Sequence, residues 1–129
     1  TPVLGLTASD YGYVEVVYDA ELGGTYGGVH YDNKITASTS SAPYLYYSYP
    51  NAPDSFTWEG RALKVDSAEA VTVNGKKCVK FVYNMTEKPS TGEYLWKGTL
   101  GKLRLDPYNG YPEWGVMSIK LIKNKEMLQ

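Results

Sequence analysis

Residues 71–85, with the sequence VTVNGKKCVKFVYNM, decide the fold of this chain. In the second half of this stretch, apolar and polar side chains alternate with the period of a half-buried strand. The side chains predicted to face inward are Val79, Phe81, Tyr83 and Met85. Asn74 and Gly75 stand before them, and both accept the positive φ that a two-residue hairpin turn requires. The stretch therefore predicts two antiparallel strands joined by a tight turn.

The same alternation recurs outside this hairpin. Further strands are predicted at residues 13–18, 44–49, 103–105 and 116–122. Residues 62–70 fit either a short helix or a strand, while Gly- and Pro-containing turns separate the other segments. Short strands that each have one apolar face predict an all-β, antiparallel, two-sheet β-sandwich. We expect residues 1–129 to form one module, excised from a longer extracellular protein, with a charged tail at residues 123–129.

Composition and charge exclude several classes of protein. The net charge is −1, and acidic and basic residues are interspersed. A general nucleic-acid binder carries a basic stripe that neutralises phosphates, and a peripheral membrane protein often carries a polybasic segment. The chain has neither, and no apolar run approaches the roughly 18 residues of a membrane span. We therefore expect neither nucleic acid nor membrane as a partner.

The residues needed for catalysis are not grouped in the sequence. His30 is the single histidine and Cys78 the single cysteine, so a zinc site with about four ligands is not supplied. Glycoside hydrolysis uses two carboxylates roughly 5–9.5 Å apart. The acidic candidates for such a pair are Glu59, Glu69, Glu87, Glu93, Asp106 and Glu113. None belongs to an alternating acidic cluster on one strand face, so we predict no catalytic residue and no enzyme.

Residues 96–107, WKGTLGKLRLDP, are followed by GVMSIKL at residues 115–121. This pattern resembles the end of galactose-binding-like jelly rolls, which occur as carbohydrate-binding modules of bacterial polysaccharide-degrading enzymes. The resemblance implies a jelly-roll β-sandwich, a secreted or cell-surface location, tethering to other domains, and a polysaccharide or oligosaccharide ligand. It also implies that Trp96 packs into the edge of the sandwich. Arg104 is expected to pair with a carboxylate or to cap backbone carbonyls.

Members of that fold often hold a structural calcium ion. Many carry Asp in the last strand, where this chain has Ser118. Calcium requires about six to eight oxygen ligands. The acidic residues near the start of the chain are Asp10, Asp19, Glu21 and Asp32, and they form no tight cluster in the sequence. We therefore predict no cofactor, with structural calcium as the alternative.

Aromatic residues are the candidate ligand-binding groups. Thirteen Tyr and three Trp stand against two Phe, and Tyr combines an apolar ring with a polar tip. One group lies in a turn and comprises Tyr108, Asn109, Tyr111, Glu113 and Trp114. A second comprises Tyr44, Tyr46 and Trp58. The alternative is that these rings pack against the protein, since Tyr is also a good strand former.

These patterns predict a non-catalytic carbohydrate-binding module that targets a polysaccharide through aromatic stacking. The alternative is a structural or protein-interaction β-sandwich domain of a cell-surface or secreted multidomain protein. Both functions are compatible with the same scaffold, because a fold does not determine a function.

Overall fold

A computed structural model describes residues 3–20, 24–26, 29–31, 36–106 and 116–123. The strands are β1 Tyr11–Asp19, β2 Gly24–Tyr26, β3 Val29–Tyr31, β4 Tyr44–Tyr47, β5 Lys64–Val73, β6 Lys76–Asn84, β7 Leu103–Asp106 and β8 Val116–Lys123. Two short 3-10 turns cover Ala8–Asp10 and Thr39–Ser41. The described residues contain no α-helix, which confirms the all-β prediction.

The larger sheet has the strand order β5-β6-β1-β8, and all of its pairings are antiparallel. The hairpin between β5 and β6 turns at Asn74, with φ 50°, and Gly75, with φ 80°. Positive φ at both central residues matches the right-handed twist of the flanking strands. The predicted hairpin is therefore confirmed, and residues 64–70 are strand rather than helix.

The second sheet is built on β4 and β7, which pair antiparallel from Tyr44–Asp106 to Tyr47–Leu103. Irregular segments widen this layer on both sides. The amide of Tyr47 donates to the Gly60 carbonyl at 2.9 Å, which joins residues 60–62 to the free edge of β4. Residues 4–8 hydrogen bond to residues 98–101, which precede the start of β7. Strands β2 and β3 form a separate two-stranded hairpin.

The core lies between the two layers. The larger sheet contributes Val14, Val16, Tyr18, Val79, Phe81 and Tyr83, and the second layer contributes Leu45, Tyr47, Leu100, Leu103 and Leu105. Each fully buried side chain of this kind adds about 1.5–3 kcal/mol of hydrophobic stabilisation. Two antiparallel sheets facing each other across one core make a β-sandwich, as the alternation predicted.

Two hydrogen bonds fix large rings at the edge of this core. Trp96 is buried, and its indole Nε1 donates to the Tyr11 carbonyl at 2.7 Å. The Tyr83 hydroxyl donates to the Pro43 carbonyl at 2.6 Å, so it connects the larger sheet to the segment that enters β4. Buried polar groups on aromatic rings need such partners. The predicted position of Trp96 is confirmed.

The end of β4 approaches the start of β7 very closely. Ser48 is buried, and its hydroxyl donates to the Pro53 carbonyl at 2.8 Å and accepts from the Lys102 amide at 3.0 Å. A Cβ at Gly101 would lie 2.6 Å from the carbonyl of Tyr49. Only glycine fits there, because real Cβ atoms do not approach a backbone carbonyl so closely.

Candidate functional site

The outer face of the second sheet carries two tyrosines. Side chains alternate along a strand, so Leu45 and Tyr47 enter the core while Tyr44 and Tyr46 point away from it. On the neighbouring strand, Asp106 lies opposite Tyr44 and Arg104 lies opposite Tyr46. This face therefore combines two aromatic rings with one cation and one carboxylate.

Trp58 joins these rings from the segment beside β4. An antiparallel bridge between Tyr46 and Arg61 holds that segment against the strand. The Trp58 ring centroid lies 5.8 Å from that of Tyr44 and 6.5 Å from that of Tyr46. The two tyrosine rings are 6.4 Å apart. We call Tyr44, Tyr46 and Trp58 the aromatic cluster.

The three rings differ in their access to solvent. Trp58 is 55% exposed and Tyr44 is 37% exposed, whereas Tyr46 is 9% exposed. Tyr46 lies beneath the other two rings, and Arg104 packs beside it. The structure thus brings together three of the residues that the sequence analysis selected. Trp58 and Tyr44 form an accessible surface, and Tyr46 supports it from below.

Two arginines hold the cluster in place. The guanidinium carbon of Arg61 lies 3.6 Å from the Trp58 ring centroid, and Arg61 also donates to the Trp58 carbonyl at 2.7 Å. The guanidinium of Arg104 lies 4.9 Å from the Tyr46 ring and 4.7 Å from the Phe56 ring. Cation–π contacts of this kind stabilise by about 0.5–2 kcal/mol. These contacts therefore favour the arrangement of the rings described here.

Arg104 is itself neutralised by Asp106. Two hydrogen bonds of 2.9 Å join its Nε and one terminal nitrogen to the two carboxylate oxygens. This bidentate pairing confirms the expectation that Arg104 meets a carboxylate. Asp106 therefore holds the Arg104 side chain in its position next to the Tyr46 ring.

Two grooves meet at the aromatic cluster. The first has a volume of about 620 Å³ and lies between residues 58–63 and residues 84–96. The second has a volume of about 400 Å³ and lies between residues 39–45 and residues 58–65. Four residues line both grooves: Trp58, Arg61, Ala62 and Leu63. Both volumes suit a small molecule or a few units of a polymer.

The grooves differ in charge. Glu59, Glu87 and Glu93 line the first groove. A hydrogen bond from Lys97 lowers the pKa of Glu93, so this carboxylate is held ionised. Such groups accept hydrogen bonds from hydroxyls. Burial raises the pKa of Tyr47, which lies at the base of the first groove, so that its phenol stays neutral.

The remaining predicted binding residues belong to the segment 108–114. Tyr108, Asn109, Tyr111, Glu113 and Trp114 lie outside the described residues. Arg61 is the residue whose role the sequence analysis missed. The signal for it was weak, since it consisted of one arginine placed three positions after a tryptophan.

The described part of the chain holds no group of three or more His, Cys, Asp or Glu side chains placed to bind a metal ion. Asp19, one of the acidic residues considered for calcium, faces Lys76 at 4.0 Å. Cys78 is buried. No helix within the described ranges has the length and apolar character needed to cross a bilayer.

Comparisons of the chain with protein-family models, with curated proteins and with solved structures found no match. The aromatic cluster and its two grooves are therefore the basis for assigning a function to this chain.

Proposed function

We propose that this chain is a non-catalytic carbohydrate-binding module that holds a polysaccharide by stacking sugar rings on Trp58 and Tyr44. The proposal depends on one observation about Trp58. Its indole is 55% exposed to solvent, although it packs against two tyrosines and an arginine. A large ring exposed in a fixed position marks a binding surface more often than an isolated exposed side chain does. The apolar face of a pyranose ring is a suitable partner for it.

The polar groups around the cluster complement the hydroxyls of a sugar. Glu59 and Arg61 flank Trp58 in the chain and line the first groove with it. Carboxylates accept hydrogen bonds and guanidinium groups donate them. Each contact is modest, so we expect micromolar to millimolar affinity, or about 4–8 kcal/mol in total.

The finer assignment follows the sequence resemblance. Under this proposal the sandwich is a galactose-binding-like jelly roll from a bacterial extracellular protein, tethered to other domains and located outside the cell. It performs no reaction, and it holds an attached or partner enzyme close to its polysaccharide. Neither a metal ion nor another cofactor takes part in the binding.

Trp58→Ala tests the proposal. Removing an exposed stacking ring is expected to weaken binding by about 1–3 kcal/mol, which is roughly 5- to 150-fold in Kd. Affinity electrophoresis in gels that contain xylan, glucan, mannan or pectin identifies the polymer, and titration calorimetry measures the loss. Val3→Ala is the matched control, because Val3 is also an exposed apolar side chain but lines neither groove.

A structural or protein-interaction domain is the second candidate function. The mutual packing of the three rings, which leaves Tyr46 buried, favours it. Such a domain would migrate without retardation in every gel of the panel. Unfolding of Trp58→Ala, measured by circular dichroism, would show that the indole is part of the core and would overturn the binding assignment.

A further inference from the structure

We infer that the ligand is an acidic glycan whose uronic acid units lie in the second groove, with one carboxylate bound by Arg61. This inference rests on the proposed function, because it takes the aromatic cluster as the surface that receives the sugar ring. It adds the chemical class of the sugar and the groove that holds it.

Arg61 carries a positive charge that is not balanced by an ion pair. Three other cations of this region have carboxylate partners, whereas Lys88 of the first groove packs near the Tyr94 ring. Arg104 pairs with Asp106 at 2.9 Å, Lys102 with Asp54 at 2.7 Å, and Lys64 with Asp66 at 3.7 Å. Among the described residues, no carboxylate forms an ion pair with Arg61. Its positive charge is therefore left for a ligand.

The Arg61 guanidinium is also well positioned to meet a ligand. The contact with the Trp58 ring and the hydrogen bond to the Trp58 carbonyl hold Arg61 at the wall shared by both grooves. A guanidinium has five N–H donors, and two of them in parallel match the two oxygens of a carboxylate. One donor is used by the Trp58 carbonyl, so donors remain for such a pair.

The two grooves differ in the charged side chains that line them. The first groove carries the carboxylates Glu59, Glu87 and Glu93, which outnumber its cations Arg61 and Lys88, so an anion is less favoured there. The residues described along the second groove include two cations, Arg61 and Lys64, of which Lys64 is paired with Asp66, and no acidic side chain lines this groove. Hydroxyl-bearing Thr39 and Ser40 line its far side. An anionic sugar is therefore favoured in the second groove.

The geometry of a uronic acid fits this arrangement. Its carboxylate projects from the edge of the pyranose ring, whereas its apolar C–H bonds lie on the faces of the ring. Tyr44 and Trp58 both line the second groove, with ring centroids 5.8 Å apart. The two rings meet edge to face, so a sugar ring that stacks on one of them lies in the groove that Arg61 also lines, where its carboxylate can pair with the guanidinium.

Titration calorimetry on the full chain tests the inference, with polygalacturonate as the acidic probe and xylan and mixed-linkage glucan as neutral probes. We expect polygalacturonate to bind at least about tenfold more tightly at low salt, and the advantage to shrink as salt screens the charges. Arg61→Gln is expected to weaken the binding of polygalacturonate more than that of the neutral polymers, so that the acidic probe loses its advantage.

Two further variants separate specific recognition from general charge. Arg61→Lys keeps the charge but loses the planar donor pair, so only part of the preference should return. Lys120→Gln removes one positive charge from the outer face of the larger sheet, in β8, and should retain the full preference. Circular dichroism and thermal unfolding check that each variant is folded.

The outcomes are distinct. Equal binding of acidic and neutral polymers, or an equal loss of both in Arg61→Gln, would overturn the inference while the proposed function stands. Dextran sulfate bound as tightly as polygalacturonate would also overturn it, because the site would then select charge and not a carboxylate. If no polymer binds the wild-type chain, both proposals fail.

Discussion

Gly101 occupies a crowded backbone position. A Cβ there would lie 2.6 Å from the Tyr49 carbonyl and 3.0 Å from the Ser48 hydroxyl. A backbone carbonyl cannot rotate away as a flexible side chain can. We expect Gly101→Ala to lower the free energy of unfolding by about 1–3 kcal/mol, measured by urea denaturation.

Gly60→Ala is a milder substitution with which the stability of Gly101→Ala can be compared. Its Cβ would lie 3.1 Å from the Tyr47 carbonyl, so Gly60→Ala should reduce the free energy of unfolding by less. If Gly101→Ala matched the wild-type chain in stability, the close approach between β4 and β7 described above would be wrong.

Some individual side chains were predictable from the sequence and others were not. The burial of Trp96 and the ion pair of Arg104 both belong to the motif at residues 96–107, and both are confirmed. The burial of Tyr46 was not predictable, because its ring is covered by Trp58 from a segment that has no periodic pattern. Long-range contacts of irregular segments leave no local signal.

Among the structural elements, the β5–β6 hairpin depends on its turn. Gly75 has φ +80°, and a side chain there would meet no neighbouring atom within 4 Å. The penalty for Gly75→Ala is therefore backbone strain alone, and we expect a loss of about 1–2 kcal/mol in the free energy of unfolding. Chemical denaturation followed by circular dichroism measures it.

Asn74→Gly serves as the control for the same turn. Asn74 has φ 50°, and glycine adopts that conformation freely. We expect its stability to stay within about 0.5 kcal/mol of the wild-type value. A larger loss in Asn74→Gly than in Gly75→Ala would contradict the turn geometry.

The sequence predicted the strands well where apolar and polar residues alternate. Strands β1, β6 and β7 bury the expected side chains. Apolar and polar residues do not alternate in residues 60–62, which pair with β4. Residues 4–8, which pair with residues 98–101, were likewise not predicted as a strand. Backbone hydrogen bonds hold these segments, and such bonds carry no side-chain signature. The aromatic cluster depends on the first of them, so its assembly was not visible in the sequence.

At the scale of the whole molecule, the buried tyrosines determine the response to alkaline pH. Burial raises the pKa of Tyr18, Tyr47 and Tyr83 above the value of about 10 in an unfolded chain. Below pH 10 these phenols are neutral in both states, so the folded state keeps their full contribution. Above it, the unfolded chain loses protons that the folded chain retains, and stability falls.

We therefore expect the free energy of unfolding to start falling at about pH 10 and to fall more steeply above it. Tyrosinate absorbance and circular dichroism, recorded together against pH, measure the effect. Part of the thirteen tyrosines should ionise only as the folded signal disappears. Ionisation of all thirteen with an unchanged circular dichroism spectrum would contradict the burial of these rings.

The larger sheet ends in β5 and β8, and each pairs with one neighbour within the described part of the chain. An open edge of this kind can template growth of a fibril. Strand β5 counters this hazard with Lys64, Asp66 and Glu69, and with a bulge between Val65 and Ser67 that interrupts its register. Under the proposed function, copies crowded along one polymer would therefore not join to one another through their β5 edges.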